Sequence, residues 1–194
     1  MSGTPSHFFA FLARMRFIQR WGLMHNTHQE NIAEHSLRVA MISHALVLIS
    51  NTRFGTQLNA DRAASLALYH DASEVLTGDL PAPIKYFNPA IQAAYKAIEH
   101  SAELKLISML PADLRTAFAP YLATDDATLA PFIKAADKLC AYLKCLEEMK
   151  AGNQEFARAE RTLLAAVEET QLPAVSVFLE LFTPSFRLTL DELD

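Results

Sequence analysis

The constraint that most limits how this chain folds is its poverty in residues that leave the helical backbone. Only five of 194 residues are glycine, and no apolar–polar alternation bounded by turn residues defines a strand. This predicts an all-α fold. No linker, internal repeat or low-complexity tract separates the segments, so residues 1–194 read as one single-domain helical bundle. A chain of this length buries roughly 70% of the surface its unfolded form exposes, which leaves room for a sizeable core.

Capping residues divide the chain. Ser6 caps a first helix through Phe8, Phe9, Phe11, Leu12, Met15 and Ile18, and the polar stretch from Arg20 to Glu30 reads as a loop. A second helix opens at Asn31, with Glu34 three residues on, and continues to about Ile49. A third runs from Asn59 to about His70. Thr77 to Pro83 reads as a turn, because Gly78, Pro81 and Pro83 all oppose helix. Asn88 and Pro89 launch a long helix to about Leu110, and others follow from Pro111, from Thr128 to about Ala151, from Asn153 and from Pro173.

Composition excludes several classes of function. Hydrophobic residues make up 51% and charged residues 20%, close to globular averages, so the chain is a folded protein rather than a disordered one. A net charge of -5 with no block of Lys or Arg argues against polymeric nucleic acid. A small anion needs only one Arg and a cation. The apolar run around Val39 to Ile49 is broken by Ser43 and His44 and falls short of the roughly 20 residues of a membrane span. MSGTPSHFF carries no basic segment followed by an apolar one, so a cytoplasmic location is expected. Cys140 and Cys145, on one helix, lie about 8 to 9 Å apart and should stay unpaired thiols.

The chemistry concentrates where polar residues sit on apolar faces. The second helix aligns Ile32, His35, Val39, Ile42 and Leu46 along one side, which embeds His35 in the inward face. His70 and Asp71 follow the apolar positions Ala63, Leu66 and Ala67. As neighbours they reach one cation only if the helix ends or bends there. The alternative leaves Asp71 on the surface with His70 against the terminal dipole. Asp137 lies among Ile133, Lys134, Cys140 and Ala141, a face that should bury it against an ion, or against Lys134 or Lys138.

Histidine on one helix, a His-Asp doublet after a later one and a distant Asp on a third resemble the HD-domain phosphohydrolase superfamily. The stretches RWGLMHNTHQENIAEHSLRVAM (20–41), YHDASEVLTGDLPAPIKYFN (69–88) and KAADKLCAYLKCLEE (134–148) are similar to its bacterial 5'-deoxynucleotidases. The likeness runs from SHFFAFLARM to FTPSFRLTLDE and is weaker in 25–29 and 123–131. It implies an HD-type all-α fold, a divalent cation on His35, His70, Asp71 and Asp137, deoxyribonucleoside 5'-monophosphates as substrates, and a homodimer.

Two imidazoles and two carboxylates suit Co²⁺, Mn²⁺, Cu²⁺, Zn²⁺ or Fe²⁺ rather than Ca²⁺, and a six-coordinate ion so held keeps two positions open. Arg20 is the candidate for gripping phosphate oxygens, a role a solvated Arg at a helix end would not have. Glu74, four residues after His70, is the expected proton donor or acceptor if it is not a surface residue. The resemblance directs Asp79, in the Gly-Pro turn, to the sugar hydroxyl. Trp21, the one tryptophan, is expected beside the sugar, where it would exclude a 2'-hydroxyl; otherwise it is a core or dimer-interface aromatic. His7, His25, His28, His44 and His100 receive no role. The competing readings are another HD-type nucleotide phosphohydrolase, such as a guanosine tetraphosphate hydrolase, and a non-enzymatic regulator held together by metal. The first typically carries an acidic pair after the doublet, whereas Glu74 is followed by Val75. A regulator has no need of Glu74 and Arg20.

Overall fold

A computed structural model describes residues 5–123 and 126–193, so the first four residues of MSGTPSHFF lie outside it. Helices are the only regular structure among the described residues, with one isolated antiparallel bridge, Gln19 to Asn31, as their only extended pairing. The α-helices are α1 Phe8–Leu12, α2 Ile32–Phe54, α3 Ala60–Tyr69, α4 Glu74–Thr77, α5 Ala82–Lys85, α6 Pro89–Ser108, α7 Ala112–Leu122, α8 Ala130–Lys150, α9 Ala157–Glu168 and α10 Pro173–Leu181.

The caps act as their residue types dictate. Asn31 Oδ1 accepts from Glu34 N–H at 3.0 Å, Asn59 Oδ1 from Arg62 N–H at 2.9 Å, and Asn88 Oδ1 from Ile91 N–H at 2.9 Å. Some boundaries differ from expectation. The first helix is an α turn that tightens into a 3₁₀ segment, Ala13–Phe17, because the chain must swing out toward the bridge at Gln19. Pro83 lies inside α5, at its second position, where a missing N–H costs no helical hydrogen bond. The turn that was read as running from Thr77 to Pro83 therefore narrows to the residues after Gly78, whose φ of 74° suits glycine.

α2 has 23 residues, longer than the sequence suggested, and by length and composition it could cross a membrane. It instead buries the face predicted for it: His35, Val39 and Leu46 have no exposed surface, and Ile42 little.

The residues gather into two compact units. The first takes Met1–Leu23, Gln29–Ser36 and Leu68–Asp125. Its core is Phe8, Ala72, Leu106, Leu110 and Leu122, with Phe118 edge-on to Phe8 at 5.5 Å. Ser6, expected as a helix cap, donates its hydroxyl to Met109 O at 2.7 Å. Arg20 N–H donates to Glu30 O and Ile32 N–H to Ile18 O, clasping the two ends of the polar loop.

The second takes Met24–His28, Leu37–Ala67 and Asp126–Asp194. Its centre is α8, packed on α9 and on the 3₁₀ turns Gln154–Phe156 and Thr183–Arg187. Leu139, Cys140, Leu143, Cys145 and Leu146 are wholly buried, and both cysteines are free thiols. Glu148, 1% exposed, sits in this apolar setting because every side of it is met. It pairs with Lys144, and accepts from Thr27 N–H at 2.9 Å, Thr27 Oγ1 at 2.6 Å, His28 N–H at 3.1 Å and Asn153 Nδ2 at 2.8 Å. Lys144 also donates to His28 O.

Burial opposes the charge on Glu148, but its bonds to Lys144, Thr27 and Asn153 prevail and hold it well below the ordinary carboxylate value of 4.5. The stabilisation it gives is thus present above that pH and fades as pH falls below it. Glu148→Gln should flatten the loss of stability between about pH 5 and pH 3 in urea titrations. Glu148→Ala, which leaves Lys144 buried without its partner, should cost about 3–5 kcal/mol.

Candidate metal centre

α3 ends at Tyr69, and residues 70–73 form turns before α4 begins. That break is what two adjacent ligands require. On a continuous helix His70 and Asp71 would point about 100° apart. Here Ala72 N–H bonds Tyr69 O and Glu74 N–H bonds Asp71 O, both in 3₁₀ fashion. The tightened turn brings the Asp71 carboxylate to the imidazole beside it.

His70 Nε2 lies 3.1 Å from Asp71 Oδ2, and His35 Nε2 lies 3.5 Å from the same oxygen. The two imidazole rings are 5.4 Å apart. One ligand atom from each of His35, His70 and Asp71 falls within 4.8 Å of the other two. Donors bound at about 2 Å to one ion stand up to about 4 Å apart, so a small inward shift turns this cluster into a coordination shell. Burial raises the Asp71 carboxyl, but the charge and hydrogen bond of His70, then the charges of His35 and Arg20, outweigh it and keep the group well below the usual carboxylate range. It is therefore anionic at neutral pH. Two imidazole nitrogens and a carboxylate oxygen fit a first-row divalent transition ion.

Around this cluster stand three of the other predicted residues. Arg20 Nη1 is 3.6 Å from Asp71 Oδ2. Glu74 begins α4 and is 5% exposed; it reaches this place through the turn that follows α3. Burial, with the charges of Asp71 and Asp79, pushes its carboxyl up to about 9. Asp79, half-buried in the turn after Gly78, is also raised, by burial first, with Arg20 opposing and Asp71 assisting. Tyr95 Oη donates to Gly78 O at 3.2 Å and so fixes that turn.

Trp21 adjoins Arg20 with φ at 60°, a left-handed conformation costly for a tryptophan. Its Nε1 donates to Glu30 Oε2 at 3.1 Å, and Arg20 Nε donates to the same oxygen at 3.1 Å. Sequence reading missed Glu30, which it placed at the end of a loop. A one-residue bridge has no periodicity, and the sole signal available was an acidic residue ten positions from Arg20.

Asp137 is on α8, in the second unit, half-buried where a largely buried position was expected. Lys138, one of the cations considered for it, donates to Ala166 O at 3.1 Å. Of the five histidines left without a role, His44 meets Asp61 and His100 meets Glu103 at the surface, while His25 and His28 contribute backbone groups to the Glu148 and Glu155 contacts.

Comparison with known proteins follows the same lines. A family model for YfbR-like 5'-deoxynucleotidases matches residues 7–186. The 5'-deoxynucleotidase of Vibrio cholerae is 55% identical over 190 residues, covering 97% of this chain and 98% of its own length. The 5'-deoxynucleotidase YfbR of Escherichia coli K12 is 54% identical over 191 residues, covering 97% and 96%. Among solved structures, an HD-domain phosphohydrolase of Listeria innocua superposes with a TM-score of 0.81 at 24% identity, over 93% of this chain and 88% of that one. An HD phosphohydrolase of cyanophage S-2L, bound to dA and one catalytic Zn²⁺ ion, gives 0.67 at 19% identity, over 97% and 100%.

Asp71→Asn keeps the shape of the cluster and removes its anionic donor. Equilibrium dialysis against Mn²⁺ or Co²⁺ should show metal affinity down by at least about 10- to 100-fold, the scale on which even an outer partner of a ligand matters. Unchanged binding would exclude Asp71 as a ligand.

Proposed function

The chain belongs to the YfbR-like 5'-deoxynucleotidase family, and from that premise we propose that it hydrolyses deoxyribonucleoside 5'-monophosphates to deoxynucleoside and phosphate. The observation that carries this is the meeting of His35, His70 and Asp71 with the Arg20 guanidinium at the same carboxylate. Cation-binding donors and a phosphate-binding donor adjoin one another there, as hydrolysis of a phosphate monoester needs.

In this reading His35, His70, Asp71 and Asp137 hold the cation, which is Co²⁺, Mn²⁺, Cu²⁺, Zn²⁺ or Fe²⁺. When bound, it supplies Lewis acidity to the phosphoryl group and acidifies water from about 15.7 toward roughly 7. Arg20 takes two phosphate oxygens with its planar fork and offsets the charge that accumulates on them. Glu74 manages the proton. Burial, with the charges of Asp71 and Asp79, raises its carboxyl to about 9, as suits a group that exchanges protons rather than standing as a fixed charge. Asp79 accepts from a sugar hydroxyl, and the indole of Trp21 fills the space that a 2'-hydroxyl would enter.

The continuous family match supports treating residues 1–194 as one catalytic domain. A homodimer is supported by an apolar stripe on α2, where Leu37, Met41 and Leu48 are 53%, 57% and 45% exposed and recur at helical spacing. Two buried reduced thiols and a nucleotide substrate support a cytoplasmic location. The net charge of -5 is consistent with a mononucleotide rather than a nucleic acid chain as substrate.

Purified protein should release phosphate from deoxyribonucleoside 5'-monophosphates, lose that activity to a chelator and regain it with Mn²⁺ or Co²⁺. No release with any of the five metals would sink the reading. Asp137→Asn should weaken the metal requirement curve toward higher concentrations. Trp21→Ala should erode the preference for deoxy over ribo substrates more than it erodes turnover; an unaltered preference would remove Trp21 from that role.

A further inference from the structure

We infer that Glu30 is the positioning residue that couples phosphate grip to sugar selection. The inference rests on the roles of Arg20 and Trp21 proposed above. A single carboxylate oxygen, Oε2, accepts from Arg20 Nε and from Trp21 Nε1, each at 3.1 Å. Glu30 is 5% exposed, so these bonds form where water competes little and where a carboxylate needs strong donors.

The geometry gives each bond a task. Arg20 has its Nε edge turned to Glu30 and its Nη1 3.6 Å from Asp71, so the guanidinium is stretched between the two carboxylates. Removing Glu30 frees the side chain to rotate onto Asp71 and out of the position in which its fork meets a phosphate. Trp21 is held in a left-handed backbone conformation, φ 60°, which an L residue with a large side chain adopts only when its surroundings enforce it. The indole N–H bond to Glu30 is one enforcement. The backbone bond from Arg20 N–H to Glu30 O, 2.9 Å, is another, and beside the bridge of Gln19 to Asn31 it sets Arg20 opposite Glu30. Arg20 and Trp21 thus share one anchor, and a change at Glu30 disturbs both together.

The experiment compares kcat/KM for a deoxyribonucleoside and a ribonucleoside 5'-monophosphate in wild type, Glu30→Gln, Glu30→Ala, Arg20→Ala, Trp21→Ala and Glu30→Gln combined with Trp21→Ala, with the melting temperature of each. The deoxy substrate should lose about 10-fold in Glu30→Gln and about 100-fold in Glu30→Ala, from weakening or losing two hydrogen bonds to a charged group. The ratio of deoxy to ribo efficiency should fall in the same order. In the Trp21→Ala background, Glu30→Gln should lower that ratio no further, since the indole it holds is gone. Emission of Trp21, the sole tryptophan, should become more accessible to acrylamide in Glu30→Gln even where the melting temperature is unchanged. The proposal is overturned if the ratio stays at the wild-type value in both Glu30 variants while Trp21→Ala lowers it. It is overturned as well if both substrates fall equally and in step with lost stability. Should Glu30→Ala fail to fold, Glu30→Gln decides by the same ratio. If Arg20→Ala and Trp21→Ala both behave as wild type, the reading of those two residues fails first and Glu30 falls with it.

Discussion

The interruption of helix between Tyr69 and Glu74 is the constraint on which the rest of the site depends. Neighbouring side chains on a helix diverge, so a His-Asp doublet binds one ion only where the backbone tightens. The 3₁₀ turns through Ala72 and Glu74 do this, and they do more than bring two side chains together. They set Asp71 against His70 and His35, whose charges keep it anionic in spite of burial, and they start a new helix whose first residue, Glu74, is buried nearby among acidic groups. Two carboxyls three residues apart are driven to opposite protonation behaviour: one sees imidazoles and a guanidinium, the other sees a low dielectric and more carboxylates.

Buried carboxylates also hold parts of the polar loop from Arg20 to Glu30, each within its own unit. In the first, Glu30 binds Arg20 and Trp21. In the second, Glu148 binds the backbone of Thr27 and His28, with Lys144 as its counter-ion. Both sites obey the same rule. A carboxylate is tolerated in the interior only when donors surround it, and donors so engaged lose their freedom to move. A loop with little apolar content is fixed in this way without a core of its own.

Some of this was legible before any coordinates. The placement of His35 on the buried stripe of α2 followed from spacing alone, because a period of 3.6 residues leaves one choice of inward face once Val39 and Leu46 are assigned. Asn31, Asn59 and Asn88 marked helix starts through a local bond that needs nothing beyond three residues. Ser6 was legible in part: its hydroxyl oxygen accepts from Phe8 N–H at 3.4 Å at the start of α1, but it also donates to Met109 O, 103 positions away, a partner no local rule foresees. Pro83 misled because proline is compatible with the first turn of a helix as well as with a turn between helices. Asp137 sat on an apolar face by periodicity and is half-buried in the fold, since how deeply a face is covered depends on what packs against it.

The sequence by itself determined that the chain is helical, where most helices begin, which residues have the chemistry of a metal and phosphate site, and which family it joins. These are properties of composition, short spacing and similarity, and they need no knowledge of distant partners. Only the tertiary structure decided that Arg20, Trp21 and Asp71 are tied together through Glu30 and one another, and that Glu74 arrives through a turn. The ties at Glu30 depend on hydrogen bonds of 3.1 Å formed across a loop, and the place of Glu74 depends on where α3 stops, and neither is written in residue order.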